Sequence, residues 1–253
     1  MSASLADADA GILVTSDDAI ATVTLNRPAA RNALDLAMCG GLLAAFQAIG
    51  RNPLIRCVLL NAAGPVFCAG ADLKERRDKS SEWVRERRLA AFAAYDAIER
   101  CAKPVVAVCD GPVVGSGGEI AMACDFIVAS PATTFTFPEA KWGTVGATQR
   151  LQRVIGKRRA KELLFTGRTM PIGEAHALGL VARVIDDPNA EASAIAGAIA
   201  KAPPLAMALI KQAVDSGEEV PLAEGIRIEL ALIDRMLAEG EWRTGVDQFG
   251  SEQ

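Results

Sequence analysis

Four glycines fall within the eight residues 111–118, directly behind the apolar run 105–109 and ahead of a helical run through 121–124. So few side chains leave the backbone uncovered where a strand hands over to a helix. N–H groups there point outward at the positive end of the helix dipole, and an anionic oxygen would be stabilised. Glu119 follows one turn later. A carboxylate near a helix N-terminus is also a common stabilising arrangement, so a structural role for Glu119 stands beside a chemical one.

Two other junctions share this character. Phe67-Cys68-Ala69-Gly70-Ala71-Asp72-Leu73-Lys74 follows the strand-like run 57–60. Its small residues let a ligand approach the backbone, and the stretch behind them can open a helix, although small-residue turns are common in any chain. Thr136-Phe137-Pro138-Glu139 ends a β-rich run at 133–137, with Pro138 setting the chain direction before a second acidic side chain. A lone Pro-Glu means nothing; its weight comes from standing in order with the other two junctions.

Around these junctions short apolar strands alternate with helical patterns. Strands are expected at 20–25, 57–60, 105–109 and 126–129, and helices at 33–49 and 82–101, the latter with Trp83, Leu89, Phe92, Tyr95 and Ile98 at three-to-four spacing. This alternation indicates an α/β class. From about residue 188 the pattern turns to helices only, at 190–201, 204–216 and 221–240, so a boundary is placed at 188.

With 253 residues, 51% of them hydrophobic, the chain can bury a substantial core. Its apolar runs break well before the roughly 18 residues that span a bilayer, so no membrane segment is expected. The first eleven residues carry Asp7 and Asp9, no Arg and no apolar signal core, which makes a cytoplasmic address the default. A net charge of −4 argues against nucleic acid as a partner. The six cysteines include no Cys-x-x-Cys pair and lie among apolar neighbours, as reduced core cysteines do. His176 is the single histidine, so a zinc site built on several histidines is excluded and a Ser-His-Asp triad would have to use it.

Taken in order, Asn26-Arg27-Pro28, Ala69-Gly70-Ala71-Asp72-Leu73, Lys103-Pro104-Val105, Gly115-Ser116-Gly117-Gly118-Glu119, Cys124-Asp125, Phe137-Pro138-Glu139, Thr148-Gln149-Arg150-Leu151, Leu164-Phe165-Thr166-Gly167 and Ala177-Leu178-Gly179-Leu180-Val181 resemble the enoyl-CoA hydratase branch of the crotonase superfamily. The resemblance covers nearly the whole chain. It implies an α/β crotonase (ClpP-like) spiral of ββα units over 1–187, with a C-terminal α-helical trimerisation region over 188–253. A homotrimer, or a hexamer made as a dimer of trimers, is expected. The substrate it implies is an acyl-CoA thioester. Coenzyme A enters as part of that substrate, and no metal or other cofactor is implied.

The resemblance also assigns roles. The backbone N–H groups of Ala71 and Ser116 match an oxyanion hole, Glu119 and Glu139 match the hydratase acid/base pair, and Ala69, Asp72, Leu73 and Lys74 match coenzyme A and substrate contacts. Relatives that only isomerise double bonds usually keep the glutamate matched to Glu139 alone, so retention of both favours hydration. Three departures stand out: Ser116 where most relatives have glycine, a short loop at 140–147, and an end at 249–253 without a basic tail. The rival readings are an enoyl-CoA isomerase or other crotonase-type acyl-CoA lyase, a serine hydrolase using Ser116 and His176, and an idle CoA- or RNA-binding scaffold.

Overall fold

The computed structural model describes residues 11–218, 220–240 and 242–243; the acidic start at 1–10 and the tail at 249–253 lie outside the described residues. Strands β1 (Ile12–Asp17) and β2 (Ile20–Leu25) form an antiparallel hairpin with Asp17 opposite Ile20. β1 is an addition to the strands expected from the sequence; its Ile12 and Val14 alternate into the core. The chain then forms helix α1 (Leu36–Arg51), strand β3 (Cys57–Ala62), helix α2 (Ser81–Glu99) and strand β4 (Val105–Cys109). Helix α1 starts three residues later than expected. Leu34 is diverted into a parallel bridge with Ala71, and Asp35 caps the helix by accepting from Met38 N at 2.8 Å.

Beyond β4 come strand β5 (Pro112–Val114), helix α3 (Ser116–Met122), and strands β6 (Phe126–Ala129) and β7 (Thr134–Thr136). Helices α4 (Thr148–Ile155) and α5 (Lys157–Thr166), strand β8 (Thr169–Pro171), helix α6 (Ile172–Ala177) and strand β9 (Arg183–Val184) follow. The larger sheet runs β1-β2-β3-β4-β6-β9, parallel from β2 onward, and the smaller runs β5-β7-β8. Two successive turns of the spiral thus put one strand in each sheet, β4 passing to β5 and β6 to β7, while the turn after β3 reaches the smaller sheet only through the Cys68–Val113 bridge.

Both faces of the larger sheet are buried, so its strands read as continuous apolar runs rather than as alternating ones. Val58, Leu60, Val105 and Ala107 face the main core. Cys57, Leu59, Val106 and Val108 face a second cluster closed by Ala192 and Ala196 of helix α7 (Pro188–Lys201). The boundary placed at 188 thus coincides with the first residue of a helix that lies on the sheet. Helices α8 (Pro204–Glu218) and α9 (Leu222–Glu239) pack on each other, and Lys211 ties α8 to Asp125 at 2.8 Å. Ile226, Leu230, Ile233 and Leu237 on α9 are exposed.

All six cysteines are buried, and burial pushes the Cys39 thiol up to about 11. Among the described residues no single helix is long and apolar enough to cross a membrane.

Candidate active site

The fold brings the three junctions together through their backbones. Cys68 N donates to Pro112 O at 3.3 Å and Val114 N donates to Cys68 O at 2.9 Å, which joins the first junction to the second. The contact is close enough that a Cβ on Gly117 would lie 2.7 Å from the Cys68 Cβ, so a side chain there would push the loops apart. Gly115 N donates to Thr136 O at 2.9 Å, which joins the second junction to the third. Gly115 has a φ of +48°, and a Cβ there would stand 2.8 Å from Glu139 Oε1. Glycine at 115 is required both by the left-handed backbone and by the carboxyl against it.

A cleft opens where the junctions meet, lined by Ala69, Gly70, Ala71 and Leu73 on one side and by Gly115, Ser116, Glu119 and Glu139 on the other. At Ala71 the parallel bridge to Leu34 engages the flanking groups, Gly70 O and Asp72 N, so the N–H of Ala71 itself faces away from Leu34. Ser116 is the first residue of α3, where N–H groups have no intrahelical acceptor. Neither N–H has a backbone acceptor among the described residues.

The two glutamates reach this cleft in opposite surroundings. Glu119 is buried on α3; its Oε1 accepts from Ala147 N at 2.7 Å and its Oε2 from Arg150 Nη1 at 3.1 Å. Arg150 also pairs with Glu99. Both Glu119 oxygens thus accept, one from an amide and one from a guanidinium, the arrangement of a fixed carboxylate. Glu139 follows Pro138, and its Oε2 is buried with no hydrogen-bond partner. Burial raises the Glu139 carboxyl above the ordinary value; the charge of Glu119 adds to the rise, while its own backbone N–H and Arg88 oppose it.

Tyr95 and Arg150 belong to this site although sequence reasoning assigned neither a role there. Tyr95 lines the cleft together with Ser116, and burial pushes its phenol well above the ordinary value. The Arg150 guanidinium lies over the Tyr95 ring, 5.8 Å from its centroid. One buried tyrosine therefore shares the cleft with the residue that departs from glycine and carries over its ring the arginine that holds Glu119. Loop 140–147, notable in the sequence for its length, supplies the Ala147 amide.

Of the residues matched to coenzyme A contacts, Ala69 and Leu73 line the cleft. The Asp72 carboxylate instead accepts from Lys74 N at 3.1 Å and lies 3.4 Å from the Arg27 guanidinium, while Lys74 opens a 3-10 turn on the surface. His176 is exposed on α6 and does not line the cleft, so it is not brought to Ser116. Among the described residues no three His, Cys, Asp or Glu side chains come together as a metal-binding group.

Residues 15–252 match the family model described as enoyl-CoA hydratase/isomerase. The enoyl-CoA isomerase/hydratase fer4 of Mycosarcoma maydis is 36% identical over 243 residues, covering 90% of this chain and 88% of that protein. The crystal structure of enoyl-CoA hydratase from Bacillus anthracis superposes with a TM-score of 0.93 at 32% identity, over 96% of this chain and 97% of that one. An enoyl-CoA hydratase/carnithine racemase from Magnetospirillum magneticum gives a TM-score of 0.89 at 35% identity, over 99% and 95% of the two chains.

Proposed function

The chain belongs to the enoyl-CoA hydratase/isomerase family, whose members act on acyl-CoA thioesters, and we propose that it is a hydratase that adds water reversibly to a 2-enoyl-CoA to give the 3-hydroxyacyl-CoA. The observation that carries this reading is the pair of carboxylates on one cleft, one held by two donors and the other buried without a partner at Oε2.

In this mechanism the thioester oxygen lies against the N–H groups of Ala71 and Ser116. As water attacks the β-carbon, electron density moves through the double bond onto that oxygen, and each preset donor is worth about 3 kcal/mol to the transition state. Glu119 accepts a proton from the attacking water, and its hold on Ala147 N and Arg150 supports the role by fixing its direction. Glu139 delivers a proton to the α-carbon, and its raised carboxyl supports the role by favouring the neutral form. One proton is taken and one is given, so the pair is reset by exchange with solvent. The exposed apolar face of α9 supports a trimer or a hexamer as the working assembly. The cytoplasmic address belongs to the same proposal.

The reaction itself tests the reading. With trans-2-hexenoyl-CoA in oxygen-18 water, the product expected is 3-hydroxyhexanoyl-CoA carrying one labelled oxygen. Formation of a 3-enoyl-CoA with no label would replace the hydratase with an isomerase.

A further inference from the structure

The cleft wall holds more positive charge than a hydrocarbon tail requires. Arg76, Arg87 and Arg88 all line the cleft beside the two glutamates. One carboxylate, Glu75, stands among these three guanidiniums, and both its oxygens are engaged: Oε1 accepts from Arg87 Nε at 2.5 Å and Oε2 from Leu36 N at 2.9 Å. Arg87 also donates to Leu34 O. Its role is accounted for, since it ties α2 to the bridge that orients Ala71.

Arg76 and Arg88 are different. Among the described residues neither has a carboxylate within ion-pair distance, and Arg76 Nε is buried with no hydrogen-bond partner. Burial lowers the affinity of Arg76 for its proton, and the neighbouring charges of Arg87 and Arg88 lower it further, against a smaller opposing pull from Glu75. Arg88 is held by neutral acceptors, Thr144 Oγ1 at 2.5 Å and Val145 O. Those acceptors lie on the loop whose Gly146 backs Glu139 and whose Ala147 amide holds Glu119, so Arg88 is anchored on the acid/base side of the cleft. Glu75 near Arg76 and Glu139 near Arg88 act only through space, so each half-buried guanidinium lacks a carboxylate in direct contact, and its planar fork matches one.

We propose that the preferred substrate is a 2-enoyl-CoA whose acyl group ends in a carboxylate, received by Arg76 and Arg88 on the far side of the double bond from the thioester. This rests on the hydratase reading and extends it from a reaction to a substrate class. Water is added as before; the distal carboxylate takes no part in the bond changes and serves to orient the acyl chain.

The test compares kcat/KM for 2-enoyl-CoA thioesters of five and six carbons ending in a carboxylate with kcat/KM for 2-hexenoyl-CoA. The wild-type enzyme should favour a carboxylated substrate by at least about tenfold, and Arg76→Met should cut that ratio by about tenfold or more, the usual weight of a charge-assisted pair. A wild-type ratio at or below one, with hexenoyl-CoA hydrated efficiently, overturns the proposal and leaves the hydratase standing. An Arg76→Met enzyme that loses both substrates equally also overturns it, because the guanidinium would then serve the coenzyme A phosphates common to both. Hydration of neither substrate by the wild type removes the hydratase reading and the proposal together. The wild-type ratio needs no variant, so a variant that misfolds leaves the proposal exposed to refutation.

Discussion

One half of this site is made of main chain and the other of side chains. The donors proposed at Ala71 and Ser116 are backbone N–H groups, placed by the hydrogen bonds that join Cys68 to β5 and Gly115 to Thr136. The proposed acid/base half rests on Glu119 and Glu139, which reach the cleft from different junctions and are set by what surrounds each carboxyl. The two halves should therefore respond differently to substitution. The main-chain half should tolerate a change of residue that keeps the N–H, whereas the other should lose its chemistry with a single side chain.

The largest expected effect falls on the side-chain half. Glu139→Gln removes the proton destined for the α-carbon and should lower hydratase kcat by about two to four orders of magnitude in steady-state assays, while circular dichroism stays unchanged. The main-chain half gives the next test. Ser116→Pro deletes the N–H at a helix position that accepts proline and should lower kcat by about a hundredfold or more, whereas Ser116→Ala keeps the N–H and should remain within a few-fold of wild type. An inactive Ser116→Ala enzyme would move the chemistry to the hydroxyl. Arg150→Met releases Glu119 from its guanidinium and should cost about tenfold to a hundredfold in kcat through misplacement, with a smaller change in KM.

The smallest effect is on stability. The Glu139 carboxyl is raised in the folded protein, which therefore binds this proton more tightly than the unfolded chain does. Stability from this group is greatest below the ordinary glutamate value and falls as pH rises through the raised one. Glutamine does not titrate, so the Tm of Glu139→Gln relative to wild type should climb through that window and then level off. A difference independent of pH would contradict the burial assigned to this carboxyl.

The main-chain half was the more legible in the sequence. Glycines and small residues at 69–71 and 115–118 mark their own junctions, because a backbone that must be approached closely excludes larger residues locally. The two glutamates were assigned through the family resemblance: Glu119 follows a glycine-rich junction, whereas Glu139 follows Phe137-Pro138 and carries no local signal of its own. Arg150 and Tyr95 were not. Arg150 reaches Glu119 across 31 positions and Tyr95 sits in the apolar stripe of α2, so nothing local separates either from an ordinary helix residue. The strands β5, β8 and β9, three, three and two residues long, were missed because pairing with β7 and β6, rather than local composition, makes them strands.

The most direct measurement sets hydration beside isomerisation in Glu119→Gln. With 2-hexenoyl-CoA and 3-hexenoyl-CoA as parallel substrates, this variant should lose hydration by about two to four orders of magnitude, since the group that takes the proton of water is gone. Hydration at the wild-type rate in Glu119→Gln, with isomerisation abolished in Glu139→Gln, would show that a single glutamate does the work and that the protein is an isomerase.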